Sequence, residues 1–176
     1  MSEQLIKQER IAKDEFFEYD PNSPLNDAQK SEFTHLEYYP YNPDLALVLD
    51  ITLIEDMPVA QIFTTKDTIR NYEKYGTITF SVDGEQVTLT IYNTPHGFFL
   101  PFVDANAGIE TYPVGRYIDA QRLPDGRFVV DFNTAYNPYC AYSDRFNCPL
   151  TPAENRLKVA IRAGEKIPTG DWVELK

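Results

Sequence analysis

Long apolar runs, positive charge, cysteine and internal repetition are all scarce in this chain of 176 residues, and each scarcity narrows what it can do. No apolar stretch approaches the ~20 residues that a spanning helix requires. The segment Met1 to Arg10 brings acids early and holds no hydrophobic signal core, so export is not expected and a cytoplasmic location is. Sixteen basic residues stand against 27 acidic ones, a formal net charge of -11. That surplus repels phosphate backbones and anionic lipid, which argues against nucleic acid and membrane surfaces as partners. Two cysteines are too few for a disulfide scaffold; in a reducing compartment Cys140 and Cys148 are expected to be thiols. No repeat or low-complexity segment occurs.

What is present points to a packed β domain. A hydrophobic fraction of 43% excludes disorder by composition, and 12 Tyr with 11 Phe favour a pleated surface on which rings pack well. Ser2 can cap a first helix running to about Tyr19, with Leu5, Ala12, Phe16 and Tyr19 as its core-facing stripe. Asp20 to Pro24 breaks it, and Ser23-Pro24 is placed to start a short second helix through about Lys30. Leu45 to Leu53 and Val59 to Thr64 read as strands. A two-residue turn at Asp83-Gly84 sets Val82 opposite Glu85, Phe80 opposite Val87 and Ile78 opposite Leu89, the same register that the apolar alternation demands. A second hairpin, from about Gly115 to Asn133, turns at Pro124-Asp125-Gly126. Its register opposes Leu123 to Arg127, Asp119 to Asp131 and Tyr117 to Asn133. Thr151 with Glu154 suits a capping box, and Leu157, Val159 and Ile161 alternate as a last strand. The expectation is one domain over 1–176. A helical segment at 1–31 packs on a β core at 45–176, an antiparallel, meander-rich sheet curved into a barrel or sandwich.

The runs Thr111 to Tyr117, Asp131 to Pro138, Cys140-Ala141-Tyr142, Cys148-Pro149-Leu150, Glu154 to Leu157 and Ala163 to Lys166 resemble the domain-of-unknown-function 1684 family. Ser23-Pro24-Leu25 and Phe99 to Phe102 are similar as well, so the likeness spans nearly the whole chain and is densest over 111–166. One departure lies near Val114, where the family usually has a second glycine or small residue. The resemblance implies no activity, substrate or cofactor, and roles must be argued from chemistry.

Candidate chemistry concentrates in the polar stretch from Tyr112 to Arg156. Two carboxylates at opposed strand positions, Asp119 and Asp131, would have Cβ atoms about 4.5–5.5 Å apart, close enough to raise one pKa and form an acid/base pair. In a hydrolytic version one Asp activates water and Arg116 holds an anionic group; the alternative is a solvated strand face. Tyr117, Asn133, Tyr136 and Asn137 offer phenol and amide groups to a polar ligand, or serve to satisfy loop backbone. Arg116, Glu154 and Arg156 add charge for a small anionic or polar ligand, or for salt bridges. Cys140 and Cys148 could bridge, could carry a nucleophile, or could contribute to a metal site with His35 and His96, but they lack the short spacing of a zinc motif. Buried thiols are the leading reading, and no metal or cofactor is expected. Asp104, Asn106 and Glu110 around Gly108 start like a calcium loop, yet Gly115 falls where the bidentate Glu belongs, so a turn is expected. Against the small-molecule-binding or enzymatic reading stands a structural or interaction module, in which the signature loop is an internal hydrogen-bonded plug closing one end of the sheet.

Overall fold

A computed structural model describes residues 1–169. Helix α1 (Glu3–Tyr19) begins where expected, the Ser2 hydroxyl accepting the Leu5 N–H at 3.3 Å. Its inward stripe is displaced from the expected one. Ile6 and Phe17 are buried, whereas Leu5 and Tyr19 are 43% and 71% exposed. Arg10 and Lys13 share the inward stripe and reach the Tyr39 carbonyl and the Glu165 carboxylate. Hydrophobicity alone misphases such a helix, because two half-buried cations share the face of Ile6 and Phe17. Helix α2 (Asp27–Glu32) starts later than Ser23-Pro24 suggested. Asn26 and Gln29 form a reciprocal capping box, each side chain accepting the other's backbone N–H at 2.9 Å. Ser23 is buried instead, its hydroxyl donating to the Phe17 carbonyl at 2.6 Å.

The rest is one antiparallel sheet: β1 (Ala46–Leu49), β2 (Thr52–Leu53), β3 (Val59–Phe63), β4 (Ile69–Val82), β5 (Glu85–Thr94), β6 (Gly97–Phe102), β7 (Arg116–Arg122) and β8 (Phe128–Asp131). The order is β1-β8-β7-β6-β5-β4-β2, with β3 beside the first half of β4. The Asp83-Gly84 hairpin has the expected register throughout, and both turn residues take the positive φ that such a turn requires. Leu45 to Leu53 is not one strand. β1 pairs with β8 and β2 with β4, so Asp50 and Ile51 join the two ends of the strand order. The sheet therefore has to curl, and it forms a half-barrel. A bulge between Lys74 and Gly76 bends β4 at this point. Gly76 leaves room for the joint: a Cβ there would lie 2.6 Å from Ile51 Cγ1 and 2.8 Å from the Thr52 carbonyl oxygen.

Ile78, Leu89, Ile91, Leu100, Ile118, Phe128, Val130 and Phe132 fill the inside of the curl, each no more than 1% exposed. A smaller cluster, including Phe17, Leu25, Tyr112 and Tyr142, joins the helices to the signature loop.

Strand β6 runs through the sheet interior although it contains Pro101. Beyond Tyr92↔Phe99 the β5–β6 ladder stops, because proline has no N–H to offer Thr90. The Asn155 side chain takes that place. Its amide nitrogen donates to the Thr90 and Pro101 carbonyls at 2.8 and 2.7 Å, and its oxygen accepts the Thr90 N–H at 2.8 Å. Asn155 is held there by a short 3-10 turn (Ala153–Asn155), which has no side-chain cap. The expected Thr151–Glu154 capping box does not form: Thr151 donates to the Val114 carbonyl, and Glu154 accepts from Tyr92. Residues 157–161 are no ladder strand: the chain bends at 158–159, and only the Leu157 N–H and the Val159 carbonyl bond to Val103 and Ala105. Their alternation holds, with Val159 and Ile161 buried.

The second hairpin turns as expected. Leu123 N–H donates to the Arg127 carbonyl, Gly126 has φ 92°, and Gln121 faces Val129. The ladder then breaks. The chain spends extra residues on a 3-10 turn (Phe132–Thr134), and Tyr136, not Asn133, pairs with Tyr117.

Candidate functional site

Alternation along β7 sends Ile118 and Ala120 into the core and Tyr117 and Asp119 outward. The signature loop folds back over that outer face and leaves a hollow of about 570 Å³. Its ring wall is built from edge contacts: Phe99 lies 4.8 Å from Tyr117 and 5.8 Å from Tyr72, and Tyr117 lies 5.8 Å from Tyr136. The Tyr117 hydroxyl donates to the Pro149 carbonyl, tying the loop to the sheet. The Tyr136 hydroxyl donates to both Asp119 carboxylate oxygens, at 3.1 and 3.2 Å. Burial, and then the Asp119 charge, push the Tyr136 phenol well above its usual pKa, so it remains a donor. Cations line the same hollow. Lys13 pairs with buried Glu165 and lies over the Tyr136 ring. Arg70 donates to the Asn147 carbonyl at 2.7 Å, and among the described residues no carboxylate lies within ion-pair distance of it. His96 sits at the rim.

Asp131 is elsewhere. It is buried, and its carboxylate accepts the Asn133 backbone and side-chain N–H groups at 2.9 and 2.8 Å and the Met1 amine at 2.6 Å. The break in the ladder separates it in role from Asp119: one caps a turn, the other faces the hollow. Asn133 is likewise engaged with the Asn42 backbone, through both its oxygen and its nitrogen at 2.8 Å.

Arg116 points inward from the start of β7 and is 1% exposed. Its guanidinium donates to the carbonyls of Ile161, Ala163 and Glu165 and lies 3.7 Å from Asp104. Burial lowers its pKa, and the Asp104 charge works against that. Asn137 and Tyr142 bind the Glu165 carboxylate, the Asn137 N–H at 2.6 Å and the Tyr142 hydroxyl at 2.9 Å; the Asn137 amide also reaches the Lys166 carbonyl. Glu154 pairs with Lys74 at 2.6 Å and accepts from Tyr92, away from the hollow, and Arg156 is exposed. Cys140 and Cys148 are neighbours, both free thiols, and Cys148 lines the hollow. Asp104 accepts the Thr111 hydroxyl and the Ile161 N–H, so the calcium-like loop closes on itself. Among the described residues no three His, Cys, Asp or Glu side chains gather as metal ligands.

Two assemblies thus emerge from one stretch of sequence: a plug of buried polar groups, and a ring-lined hollow beside it. The family described as "Protein of unknown function (DUF1684)" matches residues 31–166. The chain belongs to this family. The solution NMR structure of an uncharacterized protein from Haloarcula marismortui superposes with a TM-score of 0.69 at 34% identity, covering 93% of each chain. No curated protein matches. Among the described residues no helix is long and apolar enough to cross a membrane.

Of the candidate site residues in this DUF1684 chain, Tyr117, Asp119 and Tyr136 meet at the hollow, joined by Cys148. Arg70 and Lys13 were missed, since they come from β4 and α1 and carry no local motif, and His96, considered only as a metal ligand, comes from a hairpin turn. Glu165 lay within the Ala163 to Lys166 run of the family signature, but nothing in its spacing marked it as a buried acid.

Proposed function

We propose that this DUF1684 domain binds a small, flat, anionic molecule in the outer hollow. The observation that carries the reading is Arg70, a guanidinium without an acid partner among the described residues, at the wall of a ring-lined hollow on a chain of net charge -11. Arginine's planar fork suits carboxylate or phosphate, and the rings supply apolar area for a flat body. Asp119, oriented by the Tyr136 hydroxyl, is the acceptor for a donor group on the ligand. In this reading Tyr117, Asp119 and Tyr136 touch the ligand. Arg116, Asn133, Asn137, Glu154 and Arg156 serve the fold. Turnover would draw on Asp119 as base; Asp131, committed to its own N–H donors, takes no part.

The test is a thermal-shift screen of aromatic carboxylates against their uncharged amides. Carboxylates should stabilise the wild type, the amides should not, and Arg70→Gln should abolish the difference. Equal stabilisation by both series, or an unchanged response in Arg70→Gln, overturns the reading. A second reading, a purely structural module, is favoured by the Arg116 clamp on three backbone carbonyls. It predicts no stabilisation by any member of the screen.

A further inference from the structure

We propose that Cys148 is a peroxide-reactive nucleophile in the wall of the hollow, with Cys140 as its resolving thiol, the two closing reversibly into a disulfide. The geometry supplies each part. Cys148, 9% exposed, is among the residues that line the hollow, the side from which a small oxidant would approach. Its backbone is pinned on both sides: the Cys148 N–H donates to the Thr65 hydroxyl at 3.0 Å, and its carbonyl accepts the Thr65 N–H at 2.9 Å. Cys140 is beside it, and the Cys140 backbone N–H points at the Cys148 sulfur at 3.4 Å. Arg70, held by the neighbouring Asn147 carbonyl, adds positive charge on the open side.

These surroundings treat the two thiols oppositely. Cys148 is drawn down to about 7, because the Cys140 thiol and backbone N–H donate to it and Arg70 is near, which together outweigh burial. Cys140 is pushed up, because its proton is held on Cys148 and its own surroundings are buried. One sulfur is therefore prepared to attack and the other to stay protonated until the second step.

The chemistry balances with hydrogen peroxide as oxidant. The Cys148 thiolate attacks one peroxide oxygen; an S–O bond forms, the O–O bond breaks, and hydroxide leaves to take up a proton as water. Cys140 sulfur then attacks the sulfenic sulfur; the S–S bond forms, the S–O bond breaks, and the departing hydroxide carries off the Cys140 proton as a second water. A small dithiol reverses the oxidation by exchange. The proposal does not depend on which ligand the hollow takes.

The experiment treats the reduced full-length chain with hydrogen peroxide, blocks remaining thiols under denaturing conditions and maps the peptides by mass spectrometry. A Cys140–Cys148 disulfide within one chain is expected. In Cys140→Ser a dione reagent should trap sulfenic acid at Cys148, and in Cys148→Ser the remaining Cys140 should resist oxidation. Independently of either variant, iodoacetamide on the native wild type at neutral pH should label Cys148 faster than Cys140, because the thiolate is the reactive form. Equal labelling, peroxide leaving both thiols free, or disulfides only between chains would each overturn the proposal.

Discussion

Replacing Asn155 with alanine tests whether one side chain completes the sheet where Pro101 interrupts it. Asn155 is 0% exposed, and its amide satisfies the Thr90 N–H, the Thr90 carbonyl and the Pro101 carbonyl. Truncation removes three bonds and leaves three buried backbone groups unpaired. At roughly 1 kcal/mol net for each bond, and more where a group stays buried without a partner, the loss comes to about 3–5 kcal/mol. Measured against typical domain stabilities of roughly 5–15 kcal/mol, that is a large fraction, equivalent to a fall in Tm of about 10 °C. Urea unfolding should show a lower midpoint with little change in slope, and exchange at the Thr90 amide should accelerate. Asn155→Asp discriminates further. The carboxylate keeps an acceptor for Thr90 N–H but turns its other oxygen on two carbonyls, so it should be worse than alanine at pH 7. Burial among acceptors raises that carboxyl's folded pKa, so stability should recover on acidification, when the protonated acid regains a donor. An alanine variant within about 1 kcal/mol of wild type would refute the account.

Arg116→Met should cost about 3–5 kcal/mol, since it strips three carbonyls and Asp104 of a buried cation, and unfolding should be measurable by loss of near-ultraviolet dichroism. Gly164→Ala should destabilise by about 3 kcal/mol: φ is 76°, and the new Cβ would meet the Ala135 and Phe132 carbonyl oxygens at 2.6 and 2.7 Å, as a urea midpoint would report. Glu154 is held below its usual 4.5 in spite of burial, which alone would raise it, because Lys74, backbone N–H groups and the Tyr92 hydroxyl favour the carboxylate. Its stabilisation is therefore present above the unfolded value and lost as pH falls through the folded one. Glu154→Gln should flatten that limb of an acid titration by no more than about 1 kcal/mol, the pair being largely solvated. The pH midpoint for Cys148 alkylation, near 7 in the wild type, should move upward in Arg70→Gln as the positive charge is withdrawn.

Local chemistry was readable where one turn controls a whole ladder. At Asp83-Gly84 the turn and the apolar alternation agree, and the register follows from either. At Pro124 to Gly126 the turn was readable, but not its reach, because nothing nearby in sequence announces that Phe132 to Thr134 will leave the ladder. The Asp119/Asp131 pairing depended on that reach. Strand β6, for which no expectation was formed, breaks the rule against proline inside a sheet, since that rule assumes that no other donor can substitute, and Asn155 is far away along the chain. Half of the hollow was legible as ring-rich polar sequence in the signature. The rest, including Lys13, Arg70 and His96, is brought there only by the curl and by a helix that carries a half-buried cation on its inward stripe.

The joint at Asp50 and Ile51 bears on how anything reaches the hollow. Three Cα steps allow no more than about 11 Å between Leu49 and Thr52, so the far margins of the sheet are fastened like a bracelet. Prising strands apart to admit a guest would mean breaking that clasp along with the pairing on either side of it. Breathing motions that open a route must then come from the segment draped over the outside, the one carrying Tyr139 and Phe146, while the strands beneath keep their spacing.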